Sequence, residues 1–325
     1  MSQEVEMSFS SEVKEELSMQ MSPARHCRLA EIMAIIRTCG KITISADNLY
    51  NVIVYTENIA VARKYYNLIK KTFSWSPSIS VRKNIYLKKN RIYTIGIFNH
   101  GQAVQILKAT KLLNQSYDIQ ELDAKANVVI QQTCCKRAFI RGVFLASGSI
   151  SDPVKGYHFE IVCSDRKKAE QISEVISAFS LSPKIIKRKK YYIVYLKEGD
   201  MIVDILNVMQ ASKALMQLEN IRIWKEMRNS VNRRVNCETA NLNKTVSAAV
   251  RQLEEIKFLR DHVGLEGLPD GLREVAILRL EHTDASLKEL GEMLDPPVGK
   301  SGVNHRLRKL GQMAQDLKNR YHIRG

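Results

Sequence analysis

The pentapeptide FSWSP at 73–77 returns as FSLSP at 179–183, 106 residues later. RTCGKITIS (37–45) has a looser counterpart in LASGSISDP (145–153), and their glycines, Gly40 and Gly148, stand 108 residues apart. Two markers at nearly one offset indicate an internal duplication, which commits the chain to two similar halves that bury their apolar faces together. Around each marker the hydrophobic period changes in the same order. CRLAEIMAIIRTC reads as a helix, ITIS and YNVIVYT as strands, IAVARKYYNLIKKTF as an amphipathic helix, SISVRK and RIYTIGIF as strands, and QAVQILKAT as a helix. After Gly148, HFEIVC, RKKAEQISEVISAF, PKIIKRK, YYIVYLK and MIVDILNVM repeat that order. The expectation is an α+β domain over 1–220, with αββαββα units at about 25–113 and 133–210 joined near 114–132.

A glycine-ended helix followed by two strands, a helix, two strands and a helix, all duplicated, resembles the LAGLIDADG homing-endonuclease fold. The resemblance implies that the two glycine-ended helices pack together between the halves, an approach that Ala34, Gly142 and Ala146 would permit. It also implies that the residue before each glycine holds a catalytic divalent metal through a carboxylate. Those positions are Cys39 and Ser147. Neither supplies the anionic oxygen that Mg²⁺ takes from protein. Asp47 and Asp152 lie beyond the helix ends at unequal offsets. The reading is therefore a degenerate scaffold, not an enzyme, with Cys39 and Ser147 as lost metal positions and no metal or other cofactor.

Charge points to a polyanion. The net charge is +16, with −4 over residues 1–24, +15 over 25–221 and +5 over 222–325. A basic surplus of this kind is the electrostatic footprint of nucleic-acid binding. KIIKRKKYYIVYLK (184–197) offers Lys184, Lys187, Arg188, Lys189 and Lys190 as phosphate contacts, and VRKNIYLKKNRIY (81–93) offers a similar hairpin in the first half. The six cysteines (27, 39, 134, 135, 163 and 237) form no C-x-x-C pair and no Cys/His set at zinc spacing, and the seven histidines are scattered. They read as reduced, small core residues. No run of 18 apolar residues occurs, and MSQEVEMSFSSEVKEEL lacks the basic start and apolar stretch of a signal peptide. The expectation is a protein of the cytoplasm without a membrane partner.

After Met216 the chain changes character. Residues 221–245 are polar and read as a linker helix, leaving 246–325 as an all-α domain. SAAVRQLEEIKFLRDH, LPDGLREVAILRLEH, SLKELGEML and SGVNHRLRKLGQMAQDLKNR make four helices, with Asp270 and Ser301 as expected N-caps. The last two form a helix-turn-helix at about 285–317, with Leu287, Leu290, Leu294, Val303, Leu307 and Leu310 inside. The opposite face of the second helix carries Lys300, Ser301, His305, Arg308, Lys309 and Gln312, flanked by Asn304 and Arg306. Arginine donors for guanine and amides for adenine are what major-groove reading requires.

SFSSEVKEEL, the degenerate duplicated region, NCETANLNKTVSAA and SLKELGEML…KSGVNHRLRKL together resemble the WhiA family over nearly the whole chain. The resemblance implies a bacterial, nucleoid-associated DNA-binding regulator linked to cell division and sporulation. It also implies a C-terminal domain similar to the promoter-reading region of sigma factors. Double-stranded promoter DNA is then the partner, with RNA polymerase or a sigma factor as a further one. Two alternatives stay open: a homing-type endonuclease, and a scaffold that docks RNA polymerase or a sigma factor while only the C-terminus meets DNA.

Overall fold

The computed structural model describes residues 7–83, 91–114, 116–119 and 128–320. Parts of two sequence expectations, residues 84–90 of the first basic hairpin and 115 and 120–127 of the joining segment, lie outside the described residues. The chain divides into two compact units, Met1–Lys225 and Glu226–Gly325.

In the first unit a short helix α1 (Phe9–Met19), for which the sequence reading assigned no element, precedes the first repeat. Ser8 caps it, its hydroxyl accepting from the Ser11 amide. The repeat then runs α2 (Arg25–Cys39), β1 (Gly40–Ile44), β2 (Tyr50–Thr56), α3 (Ile59–Phe73), β3 (Ser78–Lys83), β4 (Arg91–Ile97) and α4 (His100–Ala109). The second repeat runs α5 (Thr133–Ser147), β5 (Gly148–Ile150), β6 (Phe159–Cys163), α6 (Arg166–Ser177), β7 (Lys184–Arg188), β8 (Tyr191–Leu196) and α7 (Gly199–Met209). The two antiparallel sheets have equivalent strand orders, β1-β2-β4-β3 and β5-β6-β8-β7. Residue period two sends Val52, Val54, Ile95 and Ile97 of one sheet, and Phe159, Ile161, Val194 and Leu196 of the other, into one core under the helices.

Helices α2 and α5 form the seam between the repeats. A Cβ on Gly142 would stand 2.8 Å from the Ala34 Cβ and 2.8 Å from the Glu31 carbonyl, so glycine is what lets the two backbones meet. The seam is also ionic. Glu31 is fully buried, with its Oε1 3.1 Å from Lys64 Nζ and 2.9 Å from Arg141 Nε, while Oε2 accepts from Arg141 Nη2 at 3.3 Å. Lys64 also donates to the Leu17 and Gln20 carbonyls, and Arg141 to Gln210 Oε1 at 3.0 Å. These bonds satisfy ions that burial would otherwise disfavour.

Helix α8 (Ser212–Val263) contains the whole of 221–245 in continuous helix, and the boundary between the units falls within it. The second unit adds α9 (Asp270–Glu281), α10 (Leu287–Glu292) and α11 (Lys300–Arg320). Ile256 and Leu259 of α8 pack with Leu272, Val275, Leu290, Leu294, Val303, Leu307, Leu310 and Ala314 in a separate core. Two expected caps move. Asp270 is the first residue of α9, after Pro269, and spends its carboxylate on Arg273 Nη2 at 2.8 Å. Ser301 lies inside α11, where Gly299 supplies the first carbonyl, accepting from Gly302 and Val303.

Candidate nucleic-acid interface

The helix-turn-helix is built from α10 and α11. Ser286 caps α10 in a capping box: its hydroxyl accepts from the Glu289 amide, and Glu289 accepts from the Ser286 amide at 2.7 Å. Hydrogen bonds from the Ser286 backbone amide and then the Ser286 hydroxyl hold the Glu289 carboxyl below its ordinary value. Residues 293–299 then fold back, with the Val298 amide donating to the Gly291 carbonyl at 2.9 Å. A Cβ on Gly291 would lie 2.0 Å from the Val298 oxygen, so this fold-back requires glycine. Helix α10 therefore ends at Glu292, short of Leu294, which is nonetheless buried in the core.

On α11, Val303, Leu307, Leu310 and Ala314 are buried at helical spacing. Lys300, Ser301, Asn304, His305, Arg308, Lys309 and Gln312 are all exposed, so the expected outer face exists as one surface. Arg306 departs from it. It is half-buried, and its guanidinium lies against Gly271 at the start of α9. The Gln312 amide donates to Asp316 at 2.9 Å and is thus tied down one turn further along the helix.

The basic cluster of the second repeat is split by strand register. Lys184, Ile186 and Arg188 face Tyr195, Ile193 and Tyr191 across β7 and β8, whereas Ile185 and Lys187 face Val194 and Tyr192. Residues directly opposite in an antiparallel pair share a face, and Val194 lies in the core under the helices. Lys184 and Arg188 therefore stand on the open side of the sheet, and Lys187 on the other side at its edge. Lys189, at φ 56°, and Lys190 form the turn between the strands, with the Lys190 ammonium 5.2 Å from the Tyr191 ring. The first sheet places Lys41 and Arg82 on its corresponding open side, by the pairings Lys41↔Ile53 and Arg82↔Ile92.

At the C-terminal ends of the paired helices, Cys39 donates to the Ile35 carbonyl at 3.4 Å, and burial pushes its thiol up to about 12. The Ser147 hydroxyl is buried with no hydrogen-bond partner among the described residues. The charged group beside Cys39 is the Lys14 ammonium, which lies 5.9 Å from the Phe144 ring and whose pKa burial lowers. Two neutral side chains and an ammonium are the wrong donor set for a hard divalent cation. Lys14 went unnoticed in the sequence because nothing local ties α1 to the ends of α2 and α5.

The cysteines depart from the expectation of small core residues. Cys27, Cys135 and Cys163 are buried, but Cys134 and Cys237 are exposed. The fold also brings His26, Cys27, Cys134 and Cys135 together, with their ligand atoms all within 4.8 Å of one another. Zinc spacing along the chain could not show this set, because it is assembled across the duplication. The signal was present in another form: His26 and Cys27 precede Cys134 and Cys135 by 108 residues, the offset of Gly40 and Gly148.

A duplicated αββαββα unit without carboxylates at its helix ends, followed by a helix-turn-helix unit, defines a degenerate LAGLIDADG-type scaffold coupled to a DNA-binding module. Family models match in the same order: the WhiA N-terminal LAGLIDADG-like domain at 25–113, the WhiA LAGLIDADG-like domain at 136–228 and the WhiA C-terminal HTH domain at 231–314. The probable cell division protein WhiA of Lachnoclostridium phytofermentans is 52% identical over 316 residues, covering 96% of this chain and all of the relative. That of Alkaliphilus oremlandii is 48% identical, covering 96% of this chain and 98% of the relative. Full-length WhiA from Thermatoga maritima, a crystal structure, matches 95% of this chain and 99% of its own at a TM-score of 0.59 and 25% identity. The chain belongs to the WhiA family.

No helix among the described residues is long and apolar enough to cross a membrane.

Proposed function

We propose that this protein is a non-catalytic, sequence-specific DNA-binding regulator of transcription acting in cell division, and in sporulation where the host sporulates. It works at promoter DNA in the cytoplasm, associated with the nucleoid. The observation that carries this reading is the outer face of α11. Lys300, Ser301, Asn304, His305, Arg308, Lys309 and Gln312 are exposed on a helix whose other face is locked by Val303, Leu307 and Leu310. The N-terminal turns of such a helix enter the major groove, and Arg308 can then give two parallel hydrogen bonds to guanine. Arg306, held against α9, positions the helix and reads no base.

The open sides of the two sheets, with Lys41, Arg82, Lys184 and Arg188, supply phosphate contacts that carry no sequence information. The same faces are the place where RNA polymerase or a sigma factor would dock, and a pull-down with each tests that use. The experiment for base reading is competition between specific and scrambled duplexes at one fixed salt concentration. Arg308→Ala should erode the specificity ratio by about 5- to 150-fold, the equivalent of about 1–3 kcal/mol. If Arg308→Ala and His305→Ala both leave that ratio intact, α11 is not the reader.

A further inference from the structure

His26 and Cys27 occupy the second and third positions of α2, and Cys134 and Cys135 the same positions of α5. The duplication thus puts four metal-ligating side chains at pseudo-symmetric places, at the opposite end of the paired helices from Cys39 and Ser147. Thirteen residues of helix at 1.5 Å each separate the two ends by about 20 Å. His26 Nδ1 lies 3.1 Å from Cys135 Sγ and 3.4 Å from Cys27 Sγ, and all four donors fall within 4.8 Å of one another. A tetrahedral Zn²⁺, with Zn–S of about 2.3 Å and Zn–N of about 2.0–2.1 Å, sets its donors roughly 3.6–3.8 Å apart. The separations are therefore within a few tenths of an ångström to an ångström of those a tetrahedral site requires.

We propose that His26, Cys27, Cys134 and Cys135 form a Cys₃His zinc site that clamps the N-terminal ends of α2 and α5 across the pseudo-twofold axis.

The chemistry selects the ion. Three thiolates and an imidazole form a soft donor set that suits Zn²⁺, whereas Mg²⁺ and Ca²⁺ require oxygen. Four protein ligands close the coordination sphere, which makes the site structural and leaves no position for catalysis. Binding replaces three S–H bonds with three Zn–S bonds and releases three protons to solvent; no electron is transferred. The bound unit carries one negative charge, and two features would stabilise it: the N-termini of two helices that have no side-chain cap, and Arg137 beside the cavity. That cavity, about 490 Å³, is lined by Cys27, Cys134, Arg137 and Arg141 and gives the ion a route in. Outer contacts are already in place. The Cys134 thiol donates to Gln132 Oε1 at 3.5 Å, and turning that amide over would present its NH₂ to the thiolate; Arg28 fixes the segment before α2 by donating to the Ser22 and Pro23 carbonyls at 2.9 and 2.5 Å. The site is independent of how α11 meets DNA.

The test uses the full chain, purified under reducing, chelator-free conditions. Elemental analysis should find one zinc per chain. Replacement by Co²⁺ should give thiolate-to-cobalt charge transfer and the d–d bands of a tetrahedral ion. Cys134→Ser and His26→Ala alter exposed side chains and should leave the circular dichroism unchanged. Each should weaken metal binding by more than the roughly 10–100-fold that loss of an outer contact costs. Cys237→Ser, in the other unit, should keep the metal. Protein that is folded, reduced and zinc-free, and that takes up no tetrahedral Co²⁺, would overturn the proposal. So would zinc retained at full affinity in the Cys134→Ser/Cys135→Ser double variant. A disulfide joining Cys27 to Cys134 or Cys135 in chains alkylated at lysis would overturn it in favour of a redox pair.

Discussion

Removing the Glu31 carboxylate should come close to unfolding the first unit. Glu31 and Lys64 are fully buried and Arg141 is 3% exposed, so the carboxylate is the single anion between two buried cations. In Glu31→Ala both cations stay in the core with only neutral acceptors, the Leu17 and Gln20 carbonyls for Lys64 and Gln210 Oε1 for Arg141. Breaking a buried pair in this way costs about 3–5 kcal/mol. A domain has only about 5–15 kcal/mol of stability in total. With an m-value of about 3 kcal/mol/M, the urea midpoint should fall by roughly 1–1.7 M. Trp75 lies in this unit against Phe73, at 5.6 Å between ring centroids, and reports its unfolding by fluorescence. Trp224 is 70% exposed on α8, and Trp224→Phe removes its background. Lys64→Met in the Glu31→Ala chain removes one orphaned cation and should recover a substantial part of the loss, a coupling that a double-mutant cycle measures. A midpoint that moves by less than about 0.3 M, or a Lys64→Met effect that simply adds, would show that the triad contributes no net stability and that the reasoning is wrong.

Three further outcomes follow from the geometry. Lys184→Ala and Arg188→Ala should each flatten the slope of log K against log salt by about 0.9, while Lys187→Ala, on the other side of the sheet, should change it little; equal effects of all three would contradict the register-based assignment. Gly291→Ala should abolish the preference for specific over scrambled DNA while leaving the first unit's unfolding unchanged, because the new Cβ meets the Val298 carbonyl at 2.0 Å; a retained preference in a competition gel-shift assay would refute that. Supercoiled plasmid incubated with Mg²⁺ or Mn²⁺ should remain un-nicked, since Cys39 and Ser147 offer no carboxylate; cleavage abolished by EDTA would restore the endonuclease reading.

The expectations that held rest on local signals. Periodicity fixed the order of helices and strands in both repeats, and the offset between Gly40 and Gly148 fixed their equivalence. The small residues at 34 and 142 did meet, as the resemblance to the LAGLIDADG fold implied; the residues alone showed only that such an approach is sterically open. The exposed face of α11 was legible in the residues, because a 3.6-residue period assigns faces by itself.

Errors and omissions arose wherever contacts between distant residues decide. The cap of α11 shifted from Ser301 to Gly299 because the fold-back onto Gly291 fixes where the helix starts. Five basic residues that look continuous at 184–190 are divided by pairing with β8, and pairing register is not written in β7 alone. Arg306, expected at the flank of the outer face, is half-buried because the start of α9 lies against it.

The sequence by itself determined a duplicated α+β scaffold and a helix with one polar, basic face. These follow from residue period, composition and a repeat offset, all of which survive in an unfolded chain. Only the tertiary structure decided that Glu31, Lys64 and Arg141 share one buried triad, that Lys14 lies beside Cys39, and that His26 and Cys27 meet Cys134 and Cys135. Residues about 110 positions apart become neighbours only when α2 and α5 pack. The driving force for that packing is apolar burial along the entire seam, which says nothing at any single position about which polar side chains it will bring together.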